Sequence, residues 1–127
     1  MSKYYTPEKE EFYVGFECEI LNGFGEWKHI PIEISHFTLN EVENLKEWRV
    51  KYLDRADIES LGFEFQGGND YYWLRYFNGE YILSQATEVL KEEIYFNLTI
   101  EKNGDFYFQG IIKNKSELKK ILKWIGV

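Results

Sequence analysis

The stretch that decides the fold is Ile94–Val127, IYFNLTIEKNGDFYFQGIIKNKSELKKILKWIGV. Ile94, Phe96, Leu98 and Ile100 alternate with Tyr95, Asn97, Thr99 and Glu101, the period of two that turns one face of a strand toward a core. Lys102-Asn103-Gly104-Asp105 follows, and Asn-Gly marks a hairpin because both residues tolerate positive φ. Phe106, Phe108, Gly110 and Ile112 then alternate on the return strand. Asn114 is placed to cap a helix, and Glu117 to reach back toward its start, a variant of the capping box. Leu118, Ile121, Leu122 and Ile125 fall on one helical stripe, and Gly126 ends it. A hairpin feeding a helix is a scaffold, and it carries no chemistry of its own.

The same patterns run upstream. Phe12, Val14, Phe16, Cys18 and Ile20 alternate with Tyr13, Gly15, Glu17, Glu19 and Leu21, which predicts a first strand over Phe12–Leu21. Asn22-Gly23-Phe24-Gly25 reads as a turn, and Trp27–Ile34 as a second strand that Pro31 confines to an edge or a bulge. Thr38-Leu39-Asn40-Glu41 has the form of a capping box and predicts a short helix through Val42 and Leu45. Trp48–Leu53 returns to strand character. Asp54 opens another short helix, with Ile58 and Leu61 facing in and Gly62 closing it. Phe63 and Phe65 begin a strand, Gly67–Asp70 turns, Tyr71–Phe77 returns, and Asn78-Gly79 is a second hairpin signal leading into Tyr81–Leu83. Ala86–Glu93 is either a connector or the front of the Ile94 strand. These elements predict one α+β domain over residues 1–127. Its sheet is mostly antiparallel, with six to seven short strands, two short helices and a C-terminal helix packed on one face.

The totals agree with a self-sufficient domain. A chain of 127 residues buries roughly two-thirds of its unfolded surface without help from metal or disulfides. Its 19% aromatic content is high, which favours sheet outside the helical segments. Cys18 is the single cysteine, so no intramolecular disulfide forms and a reducing compartment is expected. Met-Ser-Lys-Tyr-Tyr lacks an apolar leader core, and no run approaches the length of a membrane span. The expected location is the cytoplasm, with no membrane partner. Net charge is −7, which opposes general nucleic-acid binding. That charge is uneven: residues 113–127 hold five lysines against one glutamate, +4, which leaves −11 on the other 112 residues. Lys115, Lys119 and Lys123 repeat every four residues and form one ridge of the last helix. The ridge reads either as a solvated face complementing the helix dipole or as a strip that touches RNA or an acidic partner.

No enzyme signature stands. His29 and His36 are seven residues apart and, with Cys18, lack the ligand spacing of a zinc site; no cofactor or metal is expected. Asp54, Asp57 and Glu59 form the densest acidic cluster and would suit Mg²⁺ in a nuclease, but helix capping explains their spacing better. Glu17 and Glu19 share one side of the first strand beside Tyr13, as paired carboxylates or simply as its wet face. Neither glycine cluster has the lysine and helix of a phosphate loop. The aromatics weigh the other way. Tyr71, Tyr72, Trp73, Tyr76 and Phe77 crowd one strand, so rings occupy both of its faces. One face is core; the other is either covered by the protein or exposed beside Arg75 as a partner-binding patch.

Three stretches carry a resemblance. They are Tyr5-Thr6-Pro7 with Glu11–Glu17 (EFYVGFE), Arg49–Asp54 (RVKYLD) with Asp57–Phe63 (DIESLGF), and Phe108–Lys119 (FQGIIKNKSELK). Together they resemble a family of small uncharacterised proteins of Bacteroidetes genomes, prophages and phages; residues 64–93 depart from the pattern. The resemblance carries no catalytic residue over. It implies a phage-linked context in which a small acidic protein binds a host protein, anti-CRISPR inhibitors being one such class. The expected function is therefore a non-enzymatic inhibitor of a host defence nuclease, RNA-guided or held in its RNA complex. Its contacts would be Tyr71, Tyr72, Trp73, Arg75, Tyr76, Glu17 and Glu19. The alternative is an accessory protein that binds nucleic acid through Lys115, Lys119 and Lys123.

Overall fold

The structure, a computed structural model, describes residues 3–67, 73–86 and 97–127, with Trp73 and Ala86 described by their backbone alone. Tyr71 and Tyr72, the expected turn at 68–70, the stretch 87–93 and the front of the decisive strand at 94–96 lie outside the described residues. The fold is α+β, and the described residues form nine strands in two antiparallel sheets and three α-helices. That is more strands than the six or seven expected; two of them, at Tyr4–Tyr5 and Glu64–Phe65, are only two residues long. The chain divides into two compact units, Met1–Tyr52 and Leu53–Val127.

In the first unit, β1 (Tyr4–Tyr5), β2 (Glu17–Leu21), β3 (Trp27–Pro31) and β4 (Trp48–Lys51) form a sheet in the order β1-β4-β2-β3. Pro31 closes the edge strand β3, as its missing N–H requires. Phe12, Phe16, Cys18, Ile32, Val42, Trp48 and Val50 make the core. The expected long first strand begins only at Glu17. Gly15, at φ 94, turns the chain, and the Phe16 N–H donates to Tyr13 O at 2.9 Å. Val14 therefore reaches solvent, while Phe12 and Phe16 meet edge to face across the turn at 5.8 Å. The expected Thr38 capping box does not form. Thr38 ends helix α1 (Ile34–Thr38), and its hydroxyl donates back to Ser35 O. Short 3-10 turns occupy Glu41–Glu43 and Leu45–Glu47 in place of a helix.

The second unit holds α2 (Arg55–Ser60), β5 (Glu64–Phe65), β6 (Trp73–Asn78), β7 (Tyr81–Ala86), β8 (Asn97–Lys102), β9 (Asp105–Ile111) and α3 (Lys115–Ile125). Its strands pair in chain order, β5 to β9, each antiparallel to the next. The register aligns Phe65, Tyr76, Leu83, Ile100 and Phe108 across all five strands. On that side they join Leu98, Ile58 of α2, and Leu118 and Leu122 of α3 in one core. Asn114 caps α3 by accepting the Glu117 N–H at 2.8 Å, and Glu117 reaches back to the Lys113 N–H at 2.9 Å. Gly126, at φ 86, ends the helix as expected. Asn103 and Gly104 both have positive φ, the type I′ hairpin expected of Asn-Gly. At the other hairpin the register moves by one. Asn78 pairs with Tyr81, so Gly79-Glu80 make the turn, with positive φ at Gly79 alone as in a type II′ turn.

One irregularity sets which side chains β9 turns outward. Glu101 pairs with Phe106 and Ile100 with Phe108, so Tyr107 is an extra residue in β9. Such a bulge breaks the alternation. Phe108 keeps the core side, where its ring lies over Gly110 so closely that a Cβ there would meet it at 3.1 Å. Phe106, expected beside it, turns outward.

Candidate functional site

The expected contact residues separate in the structure. Tyr76 is fully buried at the centre of the second unit's core, so it offers nothing to a partner and is removed from the contact set. Arg75, on the opposite side of β6, is exposed but already engaged in interactions of its own. The side chains of Tyr71, Tyr72 and Trp73 lie outside the described residues. Glu17 and Glu19 share one side of β2 and are half-buried. The register sets Glu19 opposite Arg49, whose Nε and Nη2 donate to one carboxylate oxygen at 3.0 and 2.7 Å. The same guanidinium lies 3.8 Å from the ring centre of Tyr4 and 4.5 Å from that of Trp27. Paired and sandwiched, Arg49 is held by charge and by two aromatic faces. Glu19 is thereby taken up inside the sheet face and presents little free charge.

The reactive side chains are similarly occupied. Asp54 accepts the Asp57 N–H at 2.8 Å and Asp57 accepts the Asp54 N–H at 3.4 Å, a reciprocal cap on α2, while Glu59 pairs with Arg55 at 2.6 Å. These carboxylates serve the helix, which favours negative charge at its start. Cys18 is buried, and burial first, then the neighbouring Glu19 charge, pushes its thiol up to about 12. It stays protonated, and the thiol is a poor nucleophile. His36 is buried, stacks edge-on against Trp48 and accepts the Glu33 N–H through Nδ1 at 2.8 Å. His29 faces solvent on β3. Among the described residues no three potential metal ligands gather.

Phe24, Ile34 and Leu39 of the first unit are exposed apolar residues on turns and a short helix; in the second unit the exposed surfaces are those of β9 and α3. Strand β9 pairs on one side only, with β8, among the described residues. It is seven residues long and exposes Phe106 by 64%, Tyr107 by 48% and Ile111 by 57%. Register places Phe106 and Ile111 away from the helix-covered side, in rows with Ile82 and with Asn97. On α3, Lys119 and Lys123 are exposed, and Lys115 is half-buried. Beside them stands Trp124, 72% exposed. Sequence reading found the lysine ridge but missed the exposed rings of β9 and Trp124, although each left a signal. Three consecutive rings, Phe106-Tyr107-Phe108, cannot all face one core, and Trp124 falls off the Leu118–Leu122 stripe by the helical period. Compared with family models, with curated proteins and with solved structures, the chain finds no match.

Proposed function

We propose that the chain is a non-enzymatic protein-binding module whose contact element is β9. The observation that carries this reading is a seven-residue strand, unpaired on one side among the described residues, with Phe106, Tyr107 and Ile111 exposed. Proteins guard such edges with short strands, lysines or proline, because unpaired backbone groups template pairing with another chain. The other edges here are guarded: β1 and β5 have two residues each, and β3 carries Lys28 and Pro31. β9 contains neither lysine nor proline. A partner strand added there would gain main-chain hydrogen bonds for affinity and ring contacts for specificity. The partner we propose is a host defence nuclease, of the RNA-guided kind or in its RNA complex, inhibited by occupation. Two things support that choice: the resemblance of the chain to phage-linked proteins, and the −11 charge outside residues 113–127. Carboxylates placed where phosphates bind compete for a basic groove.

The test is capture from a host lysate on the tagged protein, with nuclease digestion, followed by affinity measurement on the recovered nuclease. Phe106→Ser with Ile111→Thr alters exposed positions only, so the fold is retained. Removal of an aromatic anchor costs about 2 kcal/mol, some 30-fold in Kd. An affinity unchanged by the double substitution removes β9 as the contact element. Recovery of no nuclease removes the proposed partner.

A further inference from the structure

Independently of β9, the outer face of α3 carries an exposed patch of lysines and one tryptophan. Lys119 and Lys123, and likewise Lys120 and Trp124, are pairs four residues apart on neighbouring ridges of an 11-residue helix. Lys119, Lys120, Lys123 and Trp124 are all exposed. Lys119 and Lys123 make no ion pair among the described residues. The Lys120 ammonium lies 5.5 Å from the Trp124 ring centre, so charge and indole form one continuous patch. The apolar side of the helix is occupied elsewhere, since Leu118 and Leu122 are in the core and Ile121 and Ile125 pack against it.

We infer that this face binds single-stranded nucleic acid, with Trp124 stacking on a base and Lys119 and Lys123 contacting phosphates. Charge complementarity selects an anionic ligand, because the ridge is the one strongly basic region of a chain whose net charge is −7. The exposed indole selects a ligand with free π faces. Bases of a single strand offer them, whereas those of a duplex are stacked on each other. A lipid surface fits less well, because membrane-bound helices insert an apolar face and the apolar face of α3 is already buried. The acidic remainder of the chain repels polyanions, which confines the contact to this helix and keeps it short. Trp124 was absent from the residues the lysine spacing alone points to.

The experiment uses the full chain and a fluorescein-labelled oligothymidylate, titrated by anisotropy over a range of salt, beside a duplex of the same length. Binding is expected to weaken linearly in log salt, with a slope of about −1.4 if Lys119 and Lys123 each release a counterion from a single strand. Lys119→Ala and Lys123→Ala each reduce that slope by about 0.7. Trp124→Ala lowers affinity about 5- to 150-fold, the range for losing one stacked base, with little change in slope, and Trp124→Phe restores part of it. Absence of binding, an affinity indifferent to Trp124→Ala, or a duplex bound as tightly as the single strand overturns the inference. So does tighter binding to polyglutamate or to phosphatidylserine vesicles, which would assign the face to an acidic protein or to a membrane. All these positions are solvent-facing, and unchanged thermal melting verifies that each variant is folded.

Discussion

Replacing Tyr76 by Phe should stabilise the protein. The ring is at 0% exposure, aligned between Phe65 and Leu83 in the sheet, and its hydroxyl is buried without a hydrogen-bond partner among the described residues. An unsatisfied buried hydroxyl costs about 1–3 kcal/mol in lost hydration. Phe keeps the ring and its packing, including the tilted contact with Phe65 at 5.2 Å. Deleting the oxygen forfeits only a few dispersion contacts, so the expected net gain is about 1 kcal/mol. For a cooperative unit of 60–100 residues this raises Tm by roughly 4–8 °C. Thermal and urea denaturation followed by circular dichroism would measure it. Titration provides an independent arm. Burial raises the Tyr76 pKa, Arg55 opposes that shift, and Glu59 and Asp54 add to it. With the folded-state pKa raised, the neutral phenol contributes stability in full below the unfolded value of about 10. That stability is lost as pH climbs through the folded value. Wild type should therefore fall away faster than Tyr76→Phe on the alkaline side, and the gap between them should widen there. A variant destabilised by 1 kcal/mol or more would refute the reasoning, because the hydroxyl would then be making a bond that the native state needs.

Two further outcomes follow from local geometry. Cys18 should resist a thiol reagent such as dithionitrobenzoate in the folded protein near pH 8, where an ordinary thiol of pKa about 8.5 reacts, and should react fully in urea; its thiol is buried and pushed up to about 12. Asn114→Ala should cost about 1 kcal/mol by urea midpoint, because its side chain accepts the Glu117 N–H at 2.8 Å. Asn114→Asp should retain most of that stability.

Local chemistry was legible wherever a signal acts within a few residues. The cap at Asn114, the Asn103-Gly104 turn, the helix start at Asp54 and the stripe of α3 all appear where the sequence places them. Thr38 shows the limit. Its capping-box spacing is present, but helix α1 starts earlier, at Ile34, where His36 accepts the Glu33 N–H, so Thr38 arrives at the helix end and cannot cap a beginning. The aromatic strand shows another. Periodicity put rings on both sides of Tyr71–Phe77, yet it could not say which side the helices cover, and Tyr76 proved to be on the covered one.

The sequence by itself determined the α+β class, the caps at Asp54 and Asn114, the hairpin at Asn103 and the basic ridge of the last helix. Each of these depends on spacing along the chain or on the φ preference of one or two residues. Tertiary structure alone decided the division into two sheets, the burial of Tyr76, and the outward turn of Phe106 at the Tyr107 bulge. The physical reason is the period of a strand. One residue of slip or insertion exchanges its two faces, and the pairing that sets the slip comes from strands distant in sequence, whose register no local pattern contains.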